Sequence, residues 1–199
     1  VIMPVYPSEA MWIALGESGY PCAIKIGAGG FNAVNGEPWS EALSKTEGDY
    51  IVTPPQRWLD GFYIGNNRVR QFVAMPRTVG QAAAGGICIV VYPMRMDRYQ
   101  RLMADRKALE LIGTGGASTH LASPDEAGRE LFLDFGGRMK QRIYADPYGF
   151  EAWDLAARSL CVVTLIDPEQ WLKLTRTPPP DPPTTREKYD ADGLPWHDD

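Results

Sequence analysis

Nothing constrains this chain more than the run Ile87–Tyr92, where Ile87, Ile89 and Val91 alternate with Cys88, Val90 and Tyr92. Extended, the run is apolar on both faces, so it needs cover on both sides and belongs at the centre of a sheet. Pro93 ends it, because proline donates no ladder hydrogen bond. The surrounding stretch Ile51–Pro93 reads as the organising unit. Arg68–Met75 puts Val69, Gln71, Val73 and Met75 on one face and Arg68, Arg70, Phe72 and Ala74 on the other, the pattern of a strand with one buried face. Asn66-Asn67 tolerates positive φ and predicts a hairpin between Phe62–Ile64 and Arg68–Met75. Trp58-Leu59-Asp60-Gly61 reads as the turn that leads in.

Either side of this unit the elements are short. Met11–Leu15 and Cys22–Ile26 predict a hairpin across Gly16–Pro21. The segment from Gly27 to Gly36 is a glycine-rich bend; it has no P-loop lysine, so it does not read as a phosphate cradle. Glu37–Lys45 predicts one or two helical turns with Trp39 and Leu43 four apart, and Asp49–Thr53 a strand. Met94–Ala108 carries the best helical pattern, with Met96, Tyr99 and Met103 on one face and a basic excess opposite. Leu131–Phe135 and Arg138–Tyr144 predict a second hairpin through Gly136-Gly137. Asp146-Pro147-Tyr148-Gly149 is a turn, Glu151–Leu155 a helical turn, and Leu160–Ile166 a buried strand. Asp167, followed by Pro168 and Glu169, caps a short helix that runs to about Leu174.

These runs, with 20 glycines and 17 prolines punctuating them, predict a mainly β fold: an antiparallel β-sandwich with one or two short helices. The alternative is α+β, with Met94–Ala108 covering one sheet. Residues 1–175 form a single β-rich domain and residues 176–199 a Pro-rich acidic C-terminal arm. Five prolines within six positions (Pro178–Pro180, Pro182, Pro183) impose polyproline-like extension on that arm. From Thr177 onward six acids face two bases, so residues 177–199 carry −4 of the chain's net −5. Tyr189, Leu194 and Trp196 are its candidate anchors, on its own domain or on a neighbouring subunit.

No basic patch interleaved with aromatics is present, which disfavours nucleic acid. No stretch reaches the roughly 18 apolar residues of a bilayer span. The chain starts at Val1 rather than a methionine, so a preceding segment stays open, and with it secretion as well as a cytoplasmic location. Cys22, Cys88 and Cys161 lie in apolar runs and read as free buried thiols, with one disulfide as the alternative. His120 and His197 are the two histidines, no zinc spacing occurs, and neither metal nor cofactor is expected. Ser118 and His120 have no nucleophile-elbow sequence around them. Asp60, Asp134, Asp146 and Asp154 could pair for general acid/base work or calcium, but their spacing does not single them out.

Five blocks carry a likeness: WLDGF (58–62), VRQFVAMP (69–76), GGICIVVYP (85–93), RMKQRIYADPYGFEAWD (138–154) and ADGLPW (191–196). Through them the chain resembles a bacterial and fungal family marked by WLDG, VRQFVAMP, KQxIYxDPYG and C-terminal GLPW blocks. The likeness covers most of the chain from about residue 11. The family has no assigned activity, so the resemblance implies no catalytic residues. Some members have a longer, polar, Gly-rich segment where this chain has only Arg77–Gly85.

The first functional expectation is a non-enzymatic β-rich protein that assembles with its own copies as a homo-oligomer or docks a partner, its arm packing on itself or a neighbour. The second is a carbohydrate- or surface-binding module that offers Trp39, Trp58 or Trp153 to a glycan; such rings would be exposed and roughly coplanar. The third is a hydrolase using paired carboxylates.

Overall fold

The alternating runs do make a mainly β chain. The computed structural model describes residues 1–7, 9–16, 19–74, 86–111, 133–134, 138–182 and 191; of residues 109–111, 133–134 and 138–139 it describes the backbone. In chain order the strands begin with β1 (Ile2–Pro4), β2 (Ala10–Met11), β3 (Ile13–Ala14), β4 (Cys22–Ala28), β5 (Phe31–Asn32) and β6 (Ile51–Thr53). They continue with β7 (Trp58–Leu59), β8 (Gly61–Tyr63), β9 (Arg68–Val73), β10 (Gly86–Pro93), β11 (Leu133–Asp134), β12 (Arg138–Lys140) and β13 (Ser159–Ile166). Two α-helices, α1 (Met96–Leu111) and α2 (Pro168–Thr175), and a 3-10 turn at Phe150–Ala152 complete the described elements.

The two-sided run does sit at a sheet centre. β10 lies between β4 and β13 in a 6-stranded sheet of order β1-β13-β10-β4-β5, with β6 also on β4. One face of this sheet presents Ile24, Ile26, Ala28 and Ile87 to Leu59, Phe62 and Phe72, and the Phe62 and Phe72 rings meet edge-on with centroids 5.0 Å apart. Phe62 and Phe72 belong to a 5-stranded sheet of order β11-β12-β9-β2 in which β8 also pairs with β9; Leu59 belongs to the β3–β7 pair. The opposite face of the main sheet presents Ala23, Val90 and Tyr92 to Leu43, Ala152 and Trp153, with Tyr99 and Leu102 of α1 packed alongside. Burial on both faces is what the apolar alternation of β10 demands.

Local signals hold where chemistry dictates a turn or cap. Asn66 and Asn67 take φ of 53° and 55°, and the Arg68 N–H donates to the Gly65 carbonyl at 3.0 Å, closing the β8–β9 hairpin. β11 and β12 form the second hairpin. Asp167 caps α2, its side chain accepting from the Gln170 N–H at 2.8 Å, with Pro168 in the first turn.

Several expectations are corrected. The main sheet is mixed, because β1 pairs with β13 in parallel. Met11–Leu15 and Cys22–Ile26 form no hairpin: β2 pairs with β9 and β3 with β7, while β4 pairs with β10, β5 and β6. Trp58-Leu59 is a strand rather than a turn. Glu37–Lys45 forms no helix; Pro38 bridges to Phe31 and the segment bends over the sheet. In β9 the buried side passes from Val69 to Phe72, which breaks the strict period of two. β13 is a strand but mostly exposed, and Cys161 on it is exposed too. All three cysteines are free thiols. Among the described residues no helix is long and apolar enough to cross a membrane. Tyr189, Leu194, Trp196, Ser118 and His120 lie outside the described residues.

Candidate functional site

The sequence blocks 58–62 and 138–154 lock together through buried amides. Gln141, 5% exposed, donates its Nε2 to the Trp58 carbonyl and accepts from the Asp60 N–H, both at 2.9 Å. Gln56 donates to the same Trp58 carbonyl at 2.9 Å and accepts from the Tyr144 N–H at 3.2 Å. The Trp58 indole N–H donates to Asp60 Oδ2 at 3.1 Å. The Gln side chains thus stand in for strand neighbours, pairing backbone groups of Trp58, Asp60 and Tyr144.

The turn after this lock is built on Asp146. Its Oδ1 accepts from the Tyr148 and Gly149 N–H groups at 2.8 and 3.1 Å. Its Oδ2 accepts from the Tyr50 hydroxyl at 2.7 Å and the Trp153 indole at 2.9 Å. Four donors leave this carboxylate committed to structure. Burial first, then the hydrogen bond and charge of Asp146, push the Tyr50 hydroxyl well above its ordinary value. Asp154 likewise caps a turn, accepting from the Ala156 and Ala157 N–H groups. Asp60 and Asp154 therefore each serve a local turn or side chain, and the side chain of Asp134 is outside the description.

Lys25 stands in β4 among apolar neighbours, and its side chain and that of Asp49 are each 3% exposed. Its ammonium reaches Asp49 Oδ1 at 2.6 Å and the Ala42 carbonyl at 2.8 Å. Asp49 Oδ2 accepts from the Ser44 N–H at 2.8 Å, and Asn32 donates to the Asp49 carbonyl at 2.8 Å. This hydrogen-bonded ion pair pins the long bend between β5 and β6 to the sheet.

Between that bend and the Asp146 turn opens a cleft of ≈ 960 Å³. Tyr50, Tyr63, Tyr144 and Phe150 line it, with Asn35 in the wall and the exposed Lys45–Glu151 ion pair, 2.6 Å, at its side. Its charged lining residues are Lys45 against Glu47, Asp146 and Glu151, an acid excess that repels phosphate-bearing ligands.

The tryptophans singled out in the sequence are not gathered in this cleft. Trp153 is 3% exposed, spent on the core and on Asp146, and offers no ring face. Trp39 is half-buried on β4, where a Cβ at Gly27 would overlap its ring. Trp58 is half-buried in the glutamine lock. The cleft aromatics are tyrosines and a phenylalanine, and only the Tyr-rich block 144–150 hinted at them.

A second surface is the outer half of β13. Leu160 and Val162, on one face, are 48% and 45% exposed, and Cys161, on the other, is exposed. β1 pairs with the strand over Thr164–Ile166, and Val1 continues the contact through the Val162 carbonyl and the Thr164 N–H.

No protein-family model, curated protein or solved structure matches the chain.

Proposed function

We propose that this is a non-enzymatic, self-assembling β-rich protein, a member of the family marked by the WLDG and KQxIYxDPYG blocks, that associates through the outer half of β13. The observation that carries this reading is the exposed apolar stretch of β13, where Leu160 and Val162 on one face are 48% and 45% exposed and Cys161 on the other is exposed. Ser159–Val163 contains neither charge nor proline to oppose its burial. Exposed apolar side chains on both faces favour packing against a second copy. The expected result is a mass in solution above that of one chain, reduced to one chain by Val162→Lys with the melting temperature unchanged. A wild-type chain that stays monomeric at every concentration sinks the reading.

A second reading is saccharide binding. It belongs to the cleft rather than to the tryptophans, because Tyr50, Tyr63, Tyr144 and Phe150 line an open space whose charge excludes phosphate. Neutral oligosaccharides should bind saturably and lose that binding with Tyr63→Ala. A panel of neutral glycans that gives no saturable signal removes this reading.

A further inference from the structure

Two aromatic donors are aimed at the beginning of the arm. The Trp171 indole N–H, on α2, donates to the Pro178 carbonyl at 3.3 Å. The Tyr6 hydroxyl donates to the Pro180 carbonyl at 2.8 Å. Pro179 between them is half-buried, as are both aromatic residues.

Both donors stand on fixed supports. Tyr6 follows β1, and the Val5 N–H donates to the Ile166 carbonyl at 2.9 Å, one residue before the cap of α2. α2 is held by the Asp167 cap and by a Lys173–Glu169 ion pair of 2.7 Å. Thr175 Oγ1 accepts from the Thr177 N–H at 3.2 Å, and Arg176 takes a left-handed φ of 61°, which turns the chain back toward Tyr6.

This is the chemistry that reads polyproline. A polyproline II strand has no internal hydrogen bonds, so its carbonyls point outward, and its prolines have no N–H to satisfy. A site needs only donors set on an apolar shelf, which an indole and a phenol supply together. We propose that Tyr6 and Trp171 form a polyproline-recognition site, filled here by the chain's own Thr177–Pro182, that takes the same segment of a second copy in the assembly.

The segment is its own best evidence as occupant, since its carbonyl spacing is seen to fit both donors. Two exposed hydrogen bonds hold it lightly, so the segment can exchange. The site also adjoins β13: β1 pairs with that strand and α2 follows it directly. The choice of a second copy as occupant rests on the assembly reading; the polyproline site itself does not.

The test uses the full chain and a fluorescent peptide of residues 176–185. Pro178→Ala, Pro179→Ala and Pro180→Ala are combined in one variant to weaken the competing segment. The peptide should bind this variant saturably, more tightly than it binds wild type, and about tenfold more weakly once Tyr6→Phe or Trp171→Phe is added. A peptide with alanine at the three prolines should not bind. No saturable binding to the triple variant, or binding indifferent to both aromatic substitutions, overturns the site. Solution mass tests the occupant: Tyr6→Phe with Trp171→Phe should shift wild type toward the single chain at unchanged melting temperature. If Val162→Lys dissociates the assembly and the aromatic pair does not, the second-copy occupant is overturned while the β13 reading stands. If wild type is a monomer throughout, both the assembly and that occupant fail, and the peptide titration alone upholds or overturns the site.

Discussion

The Tyr50 hydroxyl and the Trp153 indole donate to the same oxygen of Asp146, at 2.7 and 2.9 Å, tying the start of β6 to the turn that follows β12. Both rings also pack together, their centroids 6.5 Å apart at 77°. Asp146→Ala strands two side-chain and two backbone donors at once and should cost about 3 kcal/mol, or a fall of about 6–12 °C in melting temperature. Asp146→Asn keeps an acceptor for Tyr148 and Gly149 but turns an NH2 toward the Trp153 N–H, so it should recover less than half of the loss. Thermal melts of the two variants check this; full recovery in the Asn variant would show that only the backbone turn matters.

The same pair sets an alkaline limit. Burial, with the hydrogen bond and charge of Asp146, raises the Tyr50 hydroxyl above its ordinary 10.0. A raised native pKa means the folded state holds its proton longer than the unfolded chain does. That contribution is complete below pH 10 and is lost as pH climbs toward the native value. Denaturant titrations from about pH 9 to about pH 12 should show wild type losing stability more steeply than Tyr50→Phe. Parallel alkaline limbs would remove Tyr50 as the cause.

The parts of the fold that proved legible are those where one residue type answers one local demand. Asn66-Asn67 supplies positive φ, Asp167 caps, and the double apolar alternation of Ile87–Tyr92 requires a central strand; each holds. What failed depended on partners far along the chain. Met11–Leu15 looks like half of a hairpin, yet its strands pair with β9 and β7 because those edges need covering. Trp39 and Leu43 sit four apart, but the segment bends over the sheet, drawn by the Lys25–Asp49 pair, and the helix is lost. Lys25 inside Cys-Ala-Ile-Lys-Ile was the readable sign of that pair, since a lone lysine on a buried strand demands a partner. The cleft was not legible, because its walls come from four separated segments of the chain.

Lys25 and Asp49 give an asymmetric prediction. Asp49→Ala leaves a 3%-exposed ammonium with only the Ala42 carbonyl, and frees the Ser44 N–H. The expected loss is about 3–5 kcal/mol. Lys25→Met combined with Asp49→Asn removes both charges and leaves an amide oxygen for the Ser44 N–H, so the double variant should cost distinctly less. Equal losses in denaturant melts would mean that the bend is held by the attraction itself rather than penalised by an orphaned charge.

Gly61 and Gly27 are both closed in by neighbours, but the neighbours differ in what they can do. A Cβ at Gly61 would overlap the Arg70 carbonyl and lie 2.8 Å from the Gln71 Cα. Both are backbone of the paired strand β9, so β8 would have to part from it, and Gly61→Ala should cost about 4 kcal/mol or abolish soluble expression. The nearest atoms to a Cβ at Gly27 belong instead to the side chain of Trp39, a half-buried ring that can tilt outward. Gly27→Ala should cost about 1–2 kcal/mol, the range of an overpacked site that relaxes. A double-mutant cycle separates the two mechanisms: in a Trp39→Leu background Gly27→Ala should lose most of its penalty, whereas Gly61→Ala should keep all of it. A Gly27 penalty that survives removal of the indole would place the strain in the β4 backbone instead of in the ring that covers it.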